Sequence, residues 1–314
     1  MSRKWLLYSI KFAVAGALIY WLESTNKLDF SPLLNHPIGL AHFLGLVGIF
    51  GHFLLSSLRW HGFLRIKNPE HRFMTTLLWN WIGEFFALVT PGGSGSEIAR
   101  GYYAFRNAAN AQMVALATVL VDRIVGLFAM MMLGTMSFML LYFGGEYSLK
   151  ALWLIGLTTV AILFGVLFTL IIVDLRLVRS VISHYSYNRF FGAVETIIGF
   201  YSENKMVFWR GVVISLFAHL SLMASFICAG IVLNVDLDWK IILLAVPFIF
   251  IANVLPISPG GIGVGETAAA FLFATLGVTE GATIMLVVRV WLVLIQLSGS
   301  MVYLTYGHKK SKPA

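Results

Sequence analysis

Two stretches of this chain, Pro91-Gly92-Gly93-Ser94-Gly95-Ser96-Glu97 and Pro259-Gly260-Gly261-Ile262-Gly263-Val264-Gly265-Glu266, break otherwise apolar sequence with residues that cannot continue a helix. Each closes on a carboxylate, a group that is costly to hold in apolar surroundings. Any fold must therefore place two helix breaks and two acids inside an apolar scaffold. That scaffold is a membrane one: of 314 residues, 59% are hydrophobic and only 11% charged, and the mean hydropathy is +0.86, far from the composition of soluble domains.

The net charge of +8 does not indicate nucleic acid, because basic residues of membrane proteins collect in cytoplasmic loops and no basic–aromatic module is present. The single Cys228 excludes an intramolecular disulfide and a cysteine metal site. The histidines are scattered, with His42 and His52 in one apolar run and His219 in another, and read as satisfied or interfacial groups rather than metal ligands. No cofactor is expected. Neither glycine stretch contains GxxxxGK[ST], so a nucleotide loop is unsupported. Met1-Ser2-Arg3-Lys4 followed by the apolar run from Trp5 to Leu22 reads as a signal anchor.

A span needs about 20 mostly apolar residues. Six segments qualify: 5–22, 38–58, 110–143, 151–173, 211–233 and 279–306. Two more, 73–90 and 241–256, run into the glycine stretches, and the short segment after each break cannot cross about 30 Å of hydrocarbon. If both are hairpins that enter and leave on one side, the chain termini, 59–72, 98–109 and 174–210 are cytoplasmic. Sixteen of the 22 basic residues then lie on that side, Arg59 and Arg100 among them, and the opposite side keeps only Lys27, Lys150 and Lys240. Segment 174–210 reads as an amphipathic surface connector. Trp79, Trp81, Trp153, Trp209 and Trp239 fall near span or hairpin ends, as an aromatic belt requires.

The order of features recurs. Two spans, a hairpin and a long span in 1–143 are matched by two spans, a hairpin and a span in 144–314, with Pro91 placed 32 residues before Arg123 and Pro259 placed 30 before Arg289. Three full spans per half put the second half upside down. The expected fold is an all-α polytopic membrane protein with about six spans and two re-entrant hairpins in an inverted repeat, an architecture that places a site between broken helices near the midplane.

Arg123 and Arg289 lie inside apolar spans and need partners, a central arginine costing about 2.5–3.5 kcal/mol even on the lenient insertion scale. Glu97 and Glu266, each opening the short helix after a glycine loop, are the expected partners. Such pairs either pin each hairpin to the following span or, together with exposed amides at the helix start, receive an anionic head group; the two roles are compatible. Asp122 is read as neutralising Arg123 in preference to carrying a proton or cation. Glu84 is either a buried acid or an interfacial one. Ser94, Ser96 and Ser258 are expected to satisfy backbone groups freed by the breaks. Pro91, Gly92, Pro259 and Gly260 are hairpin formers, while Gly93, Gly95, Gly261 and Gly263 supply amides to the site.

Ser57-Leu58-Arg59-Trp60, the first glycine stretch with Arg100 after it, Val121-Asp122-Arg123-Ile124 and the run from Pro256 to Glu266 together resemble the lysylphosphatidylglycerol synthase transmembrane region, a family that includes stand-alone flippase-like membrane proteins. The resemblance extends over nearly the whole chain, and the last motif is its most specific part. In fused members a soluble C-terminal domain attaches lysine to phosphatidylglycerol and the membrane part translocates the product. The residues up to Ala314 hold no such domain, so the expectation from the resemblance is translocation or handling of a lipid rather than its synthesis.

The expectation is a protein of the plasma membrane that moves a polar or anionic lipid head group between leaflets, with Arg123 and Arg289 on the phosphate and Glu97 and Glu266 positioning them. Its partners would be the lipid and an envelope-lipid biosynthetic enzyme. The competing readings are an ion- or proton-coupled permease for a soluble solute, an intramembrane transferase, and a scaffold.

Overall fold

The computed structural model describes residues 3–31, 38–66, 68–90, 93–108, 112–143, 161, 165 and 204–307. Within them run nine helices: α1 Arg3–Ser24, α2 Leu40–Leu64, α3 Phe73–Val89, α4 Ser94–Asn107, α5 Gln112–Phe143, α6 Lys205–Val232, α7 Trp239–Val254, α8 Val264–Thr275 and α9 Gly281–Val302, which ends in a π-helical turn at Tyr303–Gly307. The expected span 151–173, the connector up to 203, Trp153, Pro91 and Gly92 lie outside the described residues, apart from single positions at 161 and 165.

Four helices, α2, α5, α6 and α9, are long and apolar enough to cross a membrane, and α1 coincides with the expected first span. Large apolar side chains stand outward on them, including Phe43, Phe217, Leu294 and Met301. A soluble surface would not carry so many, and a lipid-facing one requires them. The chain is an integral membrane protein.

Both glycine stretches break a helix, and each leaves a helical hairpin. In the first, α3 stops at Thr90, whose hydroxyl donates to the Phe86 carbonyl (2.9 Å) and accepts from the Gly95 N–H (2.6 Å). Gly93, at φ 73°, turns the chain into α4 through a left-handed conformation that a side chain would oppose. In the second, Leu255 leaves α7, and Glu266 accepts from the Gly263 N–H (2.7 Å) to close the first turn of α8. Among the described residues the serines do not fill this role as expected. Thr90 caps α4, and Ser258 is fully buried with its hydroxyl unpartnered among the described residues.

The packing is reciprocal. α2 and α6 form the central pair; α3 packs on α9 while α7 packs on α5; α4 lies on α5 as α8 lies on α9. The hairpins open toward opposite ends of the bundle. Trp79, Tyr103 and Ala104 cluster with Leu64, Ala115, Val302 and Tyr306 at one end, whereas Ala270 of α8 joins Leu22, Leu28 and Ala282 at the other, where the Asp29 N–H donates to Thr283 Oγ1 (3.1 Å). At their tips the hairpins touch, the Gly260 N–H donating to the Thr90 carbonyl (3.0 Å).

Two expectations are corrected here. The second span does not stop at residue 58: apolar residues Trp60, Phe63 and Leu64 continue it to Leu64, so Arg59 lies on a helix, itself buried, and not in a loop. Trp79 does not sit in an aromatic belt, because its ring is buried between Trp60, His71 and Tyr103. Trp81 faces inward too, its indole N–H donating to Ser298 Oγ (2.9 Å). Trp209 and Trp239 are exposed.

Candidate functional site

A cavity of about 270 Å³ lies where the two hairpin tips meet, between α2, α3, α4, α5, α6, α7 and α9. Four arginines line it: Arg59, Arg100, Arg123 and Arg289. They divide into three arrangements, each set by how the local sequence folds.

Arg289 projects from α9 against the second tip. Its Nε donates to Glu266 Oε1 (2.7 Å), its Nη1 to the Gly260 carbonyl (2.8 Å), and its Nη2 to Asn253 Oδ1 (3.0 Å), the Gly261 carbonyl (3.1 Å) and Glu266 Oε2 (3.3 Å). Glu266 is 1% exposed and the arginine side chain 11%. Such saturation holds carbonyls that the broken helix cannot satisfy itself. The glycines make it possible by proximity: a β-carbon on Gly265 would stand 2.4 Å from Asn253 Oδ1 and 2.6 Å from Arg289 Nη2, and one on Gly261 2.4 Å from Asn253 Oδ1. Gly263 faces α1, where a β-carbon would meet Leu18 and the Ala15 carbonyl. Gly261 and Gly263 are thus packing positions of the tip, and of the glycine set offered for the site only Gly93 lines the cavity, joined there by Gly260. Gly95 is pressed against the Phe86 carbonyl.

Arg123 meets Glu97, as expected from sequence, at 2.7 Å, but in a wetter setting: the side chains are 39% and 23% exposed. Glu97 Oε1 gains no aligned hydrogen bond from this contact, so the pair is held by charge alone. Among the described residues Arg123 keeps donors free to turn toward a ligand.

Asp122 does not neutralise Arg123. Adjacent residues on a helix point about 100° apart. The Asp122 carboxylate, 1% exposed, instead accepts from Arg59 Nε (2.6 Å), Arg59 Nη2 (3.1 Å) and Arg100 Nη2 (2.6 Å). Arg59 Nη1 also donates to Ser215 Oγ (2.9 Å), and the Arg100 guanidinium lies over the Trp60 ring, 4.2 Å from its centre. Arg100 Nε is buried and unpartnered among the described residues. Arg59 and Arg100, counted as loop cations from sequence, are therefore buried members of the site. Their presence in two of the resembling motifs was the available signal, together with the tryptophan following Arg59.

Three further titratable groups line the cavity. Glu84 accepts from Gln296 Nε2 at 3.4 Å. His52 and His219 stand with ring centres 5.6 Å apart, each bonded to a backbone carbonyl, Ala218 for one and Gly126 for the other, both at 3.0 Å. Among the described residues no three His, Cys, Asp or Glu side chains form a metal-ligating group.

This constellation uses the residues of all four motifs singled out in the sequence, and residues 8–298 match the family model described as the lysylphosphatidylglycerol synthase TM region. The chain belongs to that family. It is a family of membrane domains, often linked to lipid handling. No curated protein and no solved structure matches the chain.

Proposed function

We propose that the protein carries a lipid with an anionic head group from one leaflet to the other. The observation that supports this most directly is the convergence of four arginines on one cavity at the meeting point of two hairpin tips. Arginine's planar fork suits phosphate oxygens, and burial strengthens each such contact. At about 270 Å³ the cavity is near the lower limit of about 300 Å³ for ligand pockets, so it suits a head group while acyl chains stay in lipid.

The arginines have different duties in this mechanism. Arg289 fixes the second tip, since each of its three nitrogens is already engaged there. Arg123 contacts the phosphate, with Glu97 releasing it as the ligand binds. Arg100 supplies a second contact through its unengaged Nε. The reciprocal packing of α2 with α6, of α3 with α9 and of α7 with α5 supports an inverted repeat, in which one half rocks against the other and the tip contact between Thr90 and Gly260 opens and closes. This reading makes the protein a carrier and not a catalyst, placed in the plasma membrane.

The test is exchange of a fluorescent phosphatidylglycerol between leaflets of proteoliposomes. Arg123→Ala should slow exchange about tenfold or more, as expected for losing one charge-assisted contact of about 1.5–3 kcal/mol. Exchange at the wild-type rate by folded Arg123→Ala protein would sink the proposal.

A further inference from the structure

Charge accounting across the cavity singles out Glu84. Arg123 is matched by Glu97 and Arg289 by Glu266, while Arg59 and Arg100 share the one carboxylate of Asp122. Those seven groups leave one positive charge over. Glu84 lines the same cavity, and among the described residues it forms no ion pair, its carboxylate meeting the Gln296 amide at 3.4 Å. Arg100 and Glu97 from α4 and Arg123 from α5 act on it through space, and Asp122 of α5, Arg59 and His52 of α2, His219 of α6 and Arg289 of α9 line the cavity with it. The two histidines each commit a ring nitrogen to a backbone carbonyl.

An ionised Glu84 therefore balances the cavity when no anion is bound. A phosphodiester brings a second negative charge to the same single excess, and an unbalanced charge in a largely buried site is costly. Protonation of Glu84 restores the balance. We infer that Glu84 is a proton-binding site coupled to the anionic ligand: its carboxylate takes one proton from solvent as the phosphate enters and returns it as the phosphate leaves. No other bond forms or breaks. The inference rests on the carrier reading and adds to it a co-transported ion.

Calorimetric titration of the detergent-solubilised full chain, repeated in buffers of different ionisation enthalpy, counts the protons. One arm uses dihexanoyl phosphatidylglycerol; the other uses dimethyl phosphate, the same phosphodiester without chains. Wild-type protein should take up about one proton per bound anion, and its affinity should fall by up to about tenfold per pH unit on the alkaline side. Glu84→Gln, which keeps the contact with Gln296, should bind with no proton uptake and with an affinity independent of pH. Uptake with the lipid alone makes the head group the source of the anion, and uptake in both arms makes a free phosphodiester sufficient; either supports the site. Wild-type binding without proton uptake overturns the coupling and leaves lipid carriage standing. Uptake that persists in Glu84→Gln but is lost in His52→Gln or His219→Gln overturns the assignment to Glu84. Proton-linked binding by a protein that moves no lipid in proteoliposomes overturns the carrier reading and leaves the proton site standing, and absence of binding in both arms overturns both.

Discussion

Asp122 is held at 1% exposure between two guanidinium groups, and no other carboxylate reaches them among the described residues. Replacing it with asparagine keeps the shape and removes the carboxylate that Arg59 and Arg100 share. Breaking a buried ion pair by removing one partner costs about 3–5 kcal/mol, because the remaining charge stays desolvated. Asp122→Asn should therefore lower the thermal midpoint of the purified protein sharply. Glu97→Gln touches a half-exposed pair worth at most about 1 kcal/mol and should leave the midpoint nearly unchanged. Thermal unfolding of both variants in one detergent checks the contrast, and equal shifts would contradict it. Pairs in which hydrophobic context isolates a charge were legible from sequence, as with Arg123 and Arg289. Arg59 and Arg100 were not, because a basic residue near a span end normally belongs to a loop, and only the packing of α4 against α5 brings Arg100 to Asp122.

The central crossing of α2 and α6 depends on small residues. Ser221 Oγ donates to the Gly48 carbonyl (2.8 Å) and Ser225 Oγ to the Gly45 carbonyl (3.0 Å), contacts possible only when the backbones approach closely. A β-carbon on Gly48 would lie 2.4 Å from Ser225 Oγ and 2.8 Å from the Ser221 carbonyl oxygen. The hydroxyl can rotate away, but the carbonyl is part of a helix and cannot. Gly48→Ala should thus destabilise the protein by about 1–3 kcal/mol, the range for overpacking. Gly16→Ala, where a β-carbon meets nothing within 4 Å, is the control and should leave the thermal midpoint unchanged or slightly raised. Among the described residues the long helices followed from apolar run length, and the breaks from the two glycine stretches. Which helices pair did not, since lipid and a neighbouring helix ask for the same apolar side chains.

At the scale of the whole molecule, the consequence of the fold is that two hairpins open toward opposite ends and share a tip contact. Leu64, Trp79, Tyr103 and Tyr306 gather at one end, and Leu22, Leu28, Ala270 and Ala282 at the other. A bilayer spanned by α2, α5, α6 and α9 must then separate the two groups. Charge placement in the sequence gives the same division, and moving Arg59 and Arg100 into the interior leaves fourteen basic residues on the side assigned to the cytoplasm against three on the other. Single cysteines placed in a Cys228→Ala background test this. Ser24→Cys and Glu280→Cys, both at exposed positions, should react with a membrane-impermeant maleimide added outside intact cells. Asn68→Cys and Asn107→Cys, also exposed, should react only after the membrane is opened. If residue 107 reacts from outside together with residue 280, both hairpins open to one face, and a cavity shared between opposed tips is no longer possible. If the division holds, motion of one hairpin relative to the other would break the bond from Gly260 to Thr90, and in the proposed carrier that contact is where access would pass from one side of the membrane to the other.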